Sequence, residues 1–239
     1  MTGRVICAGL GPGDPDLMSV RSHRLISGAR HIAYFRKAGR AGQARAIVEG
    51  MLREDAVEHA MEYPVTTELP FDGPEYKAAL SSFYEQWAGR LAEIARKDDV
   101  VVLCEGDPFF YGSFMHLHVR LEGLVPVEIV PGITGMSGCW TATGVPVTWG
   151  DDVLTVCMAT LPEDELTRRI AGTDALVVMK IGRNLPKLRR ALEAAGKLEE
   201  AWLVERGTMA GEQVRMLAEI EGEVPYFAIC VIHGRGRRP

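Results

Sequence analysis

The chain has five cysteines but no C-x-x-C pair, which removes both a zinc ribbon and a redox dithiol from consideration. Cys7, Cys104, Cys139, Cys157 and Cys230 are widely spaced. Four lie in or beside apolar runs and Cys139 falls in an expected helix, so they read as small buried hydrophobes in a reducing compartment. No H-E-x-x-H or other metal signature occurs. His116 and His118 stand two apart, which puts them on different faces of a helix. No apolar run nears the ~20 residues needed to span a bilayer, so no membrane partner is expected. The start, MTGRVICAGLG, lacks the charged-then-apolar layout of a signal segment and leads straight into a strand; a cytoplasmic protein is the expectation. An excess of positive charge is also missing. A net charge of −5 argues against nucleic acid as the main partner, and Arg235, Arg237 and Arg238 form only a short solvated tail. Nothing repeats at a fixed period, and no segment is low in complexity.

What is present is an ordinary globular composition: 239 residues, 47% apolar and 25% charged, enough for one large domain or two small ones with a sizeable core. Short apolar runs and helical patterns alternate. Strands are expected at 4–8, 31–35, 57–63, 100–103 and 127–130, and in the second half at 153–158, 175–179, 201–204 and 226–232. Helices are expected from Ser19 as N-cap to Gly28 as stop, from the basic loop to near Met51, at 73–96, 113–121, 163–171 and 185–195. In the longest of these, Tyr76, Leu80, Phe83, Trp87, Leu91 and Ile94 recur at helical spacing and read as core. The stretch Val214 to Ile220 fits helix and strand equally. Pro and Gly break the periodicity across Gly144 to Asp151, which sets an expected boundary between domains 1–146 and 147–239.

Several strand ends carry glycine. The first strand runs into Gly9-Leu10-Gly11-Pro12-Gly13-Asp14-Pro15, the fourth into Glu105-Gly106-Asp107-Pro108-Phe109-Phe110-Tyr111-Gly112, and the fifth into Pro131-Gly132-Ile133-Thr134-Gly135. Ligands sit at the carboxyl ends of strands in open α/β sheets, although Gly-Asp-Pro is equally the chemistry of a tight turn. A dinucleotide fingerprint fails because Asp14 stands where G-x-G-x-x-G needs its third glycine, and no G-K-[ST] completes a phosphate loop. Asp14 and Asp16 would repel a phosphate, so the first turn suits a ligand without one, such as a cation. Arg36, Lys37, Arg40 and Arg45 crowd the loop after the second strand. They are either a solvated helix start or a contact for a polyanion.

The three loops GLGPGDPDLMS, EGDPFFYG and VPGITGMSG, in this order, resemble the tetrapyrrole methyltransferases, the class III S-adenosylmethionine methyltransferases. VVMKIGRNL and VERGT extend the resemblance over nearly the whole chain. YPVTTE, MKIGRN and ATLPEDEL look most like the branch of cobalamin biosynthesis that methylates carbon 20 of precorrin-2, with the branch acting on the cobalt-loaded ring close beside it. The resemblance implies two α/β domains with a cleft between them, a homodimer, and S-adenosylmethionine as methyl donor. Carried over by position, the implied donor-binding residues are Pro12, Gly106, Asp107, Phe110, Tyr111, Thr134 and Gly135, with Met179, Trp202 or Leu203, and Tyr226 from the second half. Glu105 stands where related uroporphyrinogen enzymes carry glycine, and Gly135 where a hydroxyl or small residue is usual.

Methyl transfer from a sulfonium is an in-line displacement, so the protein's main task is alignment, worth ~7–11 kcal/mol when good. Methylation at carbon also requires loss of a proton. No residue is marked by sequence as the base; Glu105, Tyr111, His116 and Glu68 are the candidates. A precorrin carries many carboxylates, for which Arg36, Lys37, Arg40 and Arg45 are the first expected contacts and Lys180 and Arg183 the second.

Overall fold

A computed structural model of the chain describes residues 3–65 and 73–237. Thr66, Thr67, Glu68 and Arg238 lie outside the described residues. The chain divides by packing into two compact units, Met1–Thr134 and Gly135–Pro239.

In the first unit, β1 (Val5–Gly9), β2 (His31–Arg36), β3 (Val57–Glu62), β4 (Val100–Cys104) and β5 (Val127–Val130) form one parallel sheet in the order β3-β2-β4-β1-β5. All five residues of β1 and all five of β4 are buried, as expected of central strands covered on both faces. The two-residue side-chain period divides them between two cores. Val5, Cys7, Val100, Val102 and Cys104 pack with α3 (Pro74–Ala95) and α4 (Phe114–Leu121). Ile6, Ala8, Val101 and Leu103 pack on the opposite face with α1 (Val20–Gly28) and α2 (Gln43–Ile47). Within α3, Phe83 and Leu91 are buried, while Leu80, Trp87 and Ile94 pack against the same core as partly covered side chains.

Ser19 caps α1 by accepting the Ser22 N–H at 3.0 Å, a contact worth ~1 kcal/mol. The buried Ser22 hydroxyl donates to the Gly9 carbonyl at 2.8 Å and so ties the helix to the end of β1. α2 stops at Ile47, ahead of the expected Met51. The chain leaves it through short turns, Glu49 N–H to Ala46 O and Met51 N–H to Val48 O, and reaches positive φ at Gly50.

The second unit begins with α5 (Gly135–Ala142). Its sheet is mixed, in the order β6-β7-β10-β8-β9, formed by β6 (Leu154–Met158), β7 (Ala175–Met179), β8 (Trp202–Glu205), β9 (Gln213–Met216) and β10 (Ala228–Ile232). Only β6 and β7 are parallel; β10 runs antiparallel to β7 and to β8, and β8 to β9. α6 (Glu163–Ala171) and α7 (Leu185–Ala194) cover one face through Leu166, Ile170, Leu188 and Leu192 against Leu176, Val178, Leu203 and Cys230. Cys139 of α5 packs on the other face against Val204 and Val231, with Trp140 and Ala142 alongside. That packing puts α5 with the second sheet, so the division falls ahead of the Pro- and Gly-broken stretch after residue 143. The ambiguous stretch resolves into β9 followed by a single 3-10 turn, Leu217–Glu219.

All five cysteines are free and buried. Burial pushes the Cys139 thiol up to about 12 and the Cys157 thiol up to about 11, and it raises Cys7 and Cys230 as well. Among the described residues, no helix is long and apolar enough to cross a membrane.

Candidate functional site

The three glycine-bearing loops of the first unit leave β4, β1 and β5, which are adjacent in the sheet, and they leave from the same, carboxyl, ends. Their backbones touch. Gly106 N–H donates to Gly11 O at 2.8 Å, and Leu10 N–H donates to Cys104 O at 2.9 Å. A Cβ on Gly9 would lie 2.6 Å from Gly132 N, and one on Gly132 would lie 2.1 Å from Gly106 O. Side chains are therefore excluded where the loops meet, and Gly106 also adopts φ 65, a conformation costly for other residues.

Asp107 joins two of these loops. One carboxylate oxygen accepts the Phe109 N–H at 2.9 Å and the other accepts the Gly132 N–H at 3.1 Å. The residue is thus both the turn cap of its own loop and the clamp on the next. Asp14 has a comparable local task, accepting the Asp16 N–H at 2.9 Å to cap the 3-10 turn Pro15–Leu17. Its carboxylate thus has a local structural task in that turn.

Around this frame Pro12 is buried, Phe110 and Thr134 are half-buried, and Tyr111 is exposed. Tyr111 holds φ 55 and packs edge-on to Phe110 with ring centroids 4.9 Å apart. Phe109 turns instead to His118, at 4.9 Å. Non-glycine residues at positive φ cost ~1–3 kcal/mol and gather at functional positions, so the strain at Tyr111 marks this loop independently of its sequence.

The basic stretch follows β2, the neighbour of β4, at the same end of the sheet. Its four cations differ in fate. Arg36 donates to Glu62 at 2.9 Å, and Arg45 is held by Glu58 at 2.7 Å and Glu49 at 2.9 Å. The hydrogen bond from Arg45 lowers the Glu58 carboxyl below its usual range. Lys37 and Arg40 are exposed. Arg36 and Arg45 are therefore paired with carboxylates of β3, and Arg45 also with Glu49 in the turn after α2; the sequence did not reveal the β3 partners because they lie 13 and 26 residues away. Two other base candidates are also placed: His116 lies against Tyr84 with ring centroids 4.8 Å apart and planes tilted by 31°, on the α4 side of the sheet, while the exposed Glu105 follows β4.

In the second unit the register sorts the expected residues. Cys230 pairs with Val178 on one side and Leu203 on the other, so Met179 is level with Ile229 and Val204. Trp202 and Leu203 lie deeper in the sheet, and the Leu203 side chain is wholly buried against the helices. The residues that share an end with Met179, Lys180 and the exposed Tyr226 are Glu205 and Arg206. Lys180, Arg206 and Thr208 hold φ 56, 52 and 66, three strained non-glycine residues at one end of one sheet. Between the last two, Gly207 is pressed on Cys139; a Cβ there would lie 2.8 Å from the sulfur. Arg206 to Thr208 are the site candidates that residue-by-residue reading left unassigned, and the R-G-T step after an apolar run was the available signal. Gly135 opens α5, and Arg183 is an exposed residue of the 3-10 turn Gly182–Asn184.

The family described as Tetrapyrrole (Corrin/Porphyrin) Methylases matches residues 4–221. A precorrin-2 C(20)-methyltransferase of Sinorhizobium sp is 52% identical over 239 residues, covering 99% of this chain and 98% of the relative. A cobalt-precorrin-2 C(20)-methyltransferase of Salmonella typhimurium is 30% identical over 239 residues, covering 98% and 97%. Among solved structures, a cobalt precorrin-4 methyltransferase superposes with a TM-score of 0.72 at 21% identity, covering 96% of this chain and 94% of that one. A uroporphyrin-III C-methyl transferase from Thermus thermophilus, complexed with S-adenyl homocysteine, gives 0.66 at 24% identity, covering 97% of each chain. At those identities the structural likeness establishes the fold.

Proposed function

Because the chain belongs to the tetrapyrrole (corrin/porphyrin) methylase family, we propose that it transfers a methyl group from S-adenosylmethionine to carbon 20 of precorrin-2, giving precorrin-3A in cobalamin biosynthesis. The observation that carries this reading is the 52% identity to a precorrin-2 C(20)-methyltransferase along 99% of the chain.

The strand ends fit a donor held mainly by backbone. Gly9 and Gly132 let the loops meet main chain to main chain, which fixes the peptide groups around the strand ends. Pro12, Gly106, Asp107, Phe110, Tyr111, Thr134 and Gly135 would hold the donor from the loops, and Met179 and Tyr226 from the second sheet. Trp202 and Leu203 would act through their strand, since the Leu203 side chain is buried. When bound, S-adenosylmethionine supplies a methyl group on a positively charged sulfur. Asp107 keeps its loop fixed through two N–H contacts, which reduces the reorganisation left for the reaction itself. Lys37 and Arg40 would meet substrate carboxylates, with Lys180 and Arg183 as the second group; Arg36 and Arg45 would contribute only by exchanging their present carboxylate partners.

The 30% identity to a cobalt-precorrin-2 enzyme supports a second reading, action on the cobalt-loaded ring. Incubation with label in the donor methyl, using metal-free and cobalt-loaded precorrin-2 separately, tests both. The expected product is one new methyl at carbon 20 of the metal-free ring, located by NMR. Label at another carbon, turnover of the cobalt ring alone, or binding without transfer would each overturn the first reading. The same reading carries a homodimer, as the family resemblance implies, and a cytoplasmic location, as the lack of a signal layout in the sequence suggests; analytical ultracentrifugation and cell fractionation read these two points.

A further inference from the structure

We infer that His118 is a positioning residue for the methyl donor, acting through Phe109, a role that rests on the proposed S-adenosylmethionine-dependent methyl transfer. The loop from Glu105 to Gly112 carries three aromatic side chains in a row. Phe110 and Tyr111 pack edge-on to each other. Phe109, which the family resemblance leaves without a task, turns instead to α4: its ring centroid lies 4.9 Å from that of His118, with the planes at 63°. That separation and edge-on geometry are those in which aromatic pairs attract.

Phe109 is also the residue whose N–H reaches one carboxylate oxygen of Asp107 at 2.9 Å, while the other oxygen accepts the Gly132 N–H at 3.1 Å. One line of contacts therefore runs from α4 through Phe109 and Asp107 to the loop after β5, and His118 is its member on a regular element. The loop needs such a support. Gly106 at φ 65 and Tyr111 at φ 55 bracket Asp107 to Phe110, and left-handed backbone at a residue such as Tyr111 persists only where its surroundings hold it. Phe109 is 48% exposed, so burial in the core does not fix it.

The seat under Phe109 is firm. Phe114, one turn before His118, is wholly buried, with its ring centroid 6.2 Å from the imidazole, and Leu117 and Leu121 anchor the same helix in the core. One turn after, Glu122 brings a carboxylate oxygen to 3.5 Å from Nε2, an exposed pairing of the kind worth little. His118 Nδ1 is buried without a hydrogen-bond partner among the described residues. The imidazole is therefore held as a ring by packing, and a carbon ring can take its place. Neither nitrogen has a proton to move in this role.

His118→Ala tests the role. Calorimetry should show S-adenosylmethionine affinity falling about three- to tenfold, with tetrapyrrole affinity unchanged. The donor KM should rise by the same factor while kcat is retained, the pattern of a lost binding contact. His118→Phe should restore donor affinity, because it returns a ring to Phe109. Phe109→Ala removes the same contact from an exposed side chain, should weaken the donor at least as much, and decides the matter if His118→Ala does not fold. The double variant should bind the donor no more weakly than Phe109→Ala alone. Wild-type donor affinity in either alanine variant overturns the role, as do a His118→Phe protein as weak as His118→Ala, additive losses in the double variant, or equal losses for donor and tetrapyrrole. Those results leave the methyltransferase reading intact. If the wild-type protein binds no S-adenosylmethionine, that reading fails first and this role with it.

Discussion

The strand ends of the first unit are made of glycine, whereas those of the second carry side chains on strained backbone. In the first, Gly9, Gly106 and Gly132 let three loops touch main chain to main chain. In the second, Lys180, Arg206 and Thr208 hold left-handed φ values that glycine would adopt freely. Both solutions place unusual backbone at the end of a sheet; among the described residues the first unit keeps one side chain on such backbone, Tyr111, and the second keeps three. The first unit thus relies mainly on main-chain contact and the second on side chains.

The comparison breaks most readily at Gly132. A Cβ there meets the Gly106 carbonyl at 2.1 Å with only backbone to yield, so Gly132→Ala should cost ~1–3 kcal/mol in a denaturant melt. It should also abolish measurable donor binding by calorimetry; a variant that binds normally would show the close contact to be incidental. Next in size is Asp107→Ala, which frees the Phe109 and Gly132 N–H groups and should cost ~1–3 kcal/mol. Donor affinity should fall about tenfold, more than tetrapyrrole affinity, and equal losses for the two ligands would count against a donor-loop clamp.

Arg206→Gly sharpens the other half of the comparison. Relief of a positive φ, less the added freedom of glycine when unfolded, should leave stability equal or higher by up to ~1 kcal/mol. Ligand affinity should nevertheless drop. A destabilised variant with unchanged affinity would reduce the strain to hairpin geometry.

The smallest effect is expected far from the site, where His31 Nδ1 and His59 Nε2 lie 3.1 Å apart. Burial, and then the charge of His31, lower His59 below its ordinary value of 6.5. The unfolded state therefore binds more protons in that window, and stability falls as pH drops from above 6.5 toward the folded value. Melts of His59→Asn across this range should show a flatter dependence, and an unchanged slope would remove the pair from the pH response.

Much of the fold was legible because strong local signals agreed with tertiary packing. The runs at Val100 and Ala175 and the helix Glu163–Ala171 lie where periodicity placed them, since each is bounded by polar or turn-forming residues. Ser19 was readable as a cap because capping is local. Val214 to Ile220 was not readable, because β9 is an edge strand whose pairing with β8, more than its own pattern, decides its state. The division of the units was misleading for a related reason: α5 joins the second sheet through Cys139, a contact made only on folding. At the site, glycine positions and loop order were visible. The clamp by Asp107, the commitment of Arg45 to Glu58 and the depth of Leu203 were not, because each depends on register or on partners distant in sequence.

The buried cysteines have a consequence of a different kind. Cys7 and Cys104 belong to the first unit, and Cys139, Cys157 and Cys230 to the second; all five are shielded, and burial raises the thiols of Cys7, Cys139, Cys157 and Cys230. Thiolate is the reactive form, so oxidants and alkylating reagents meet almost nothing while the chain is closed. The rate at which each thiol is consumed then becomes a clock for opening, with one set of hands in each half of the molecule. Chemical ageing of this protein should follow its fluctuations rather than its average structure.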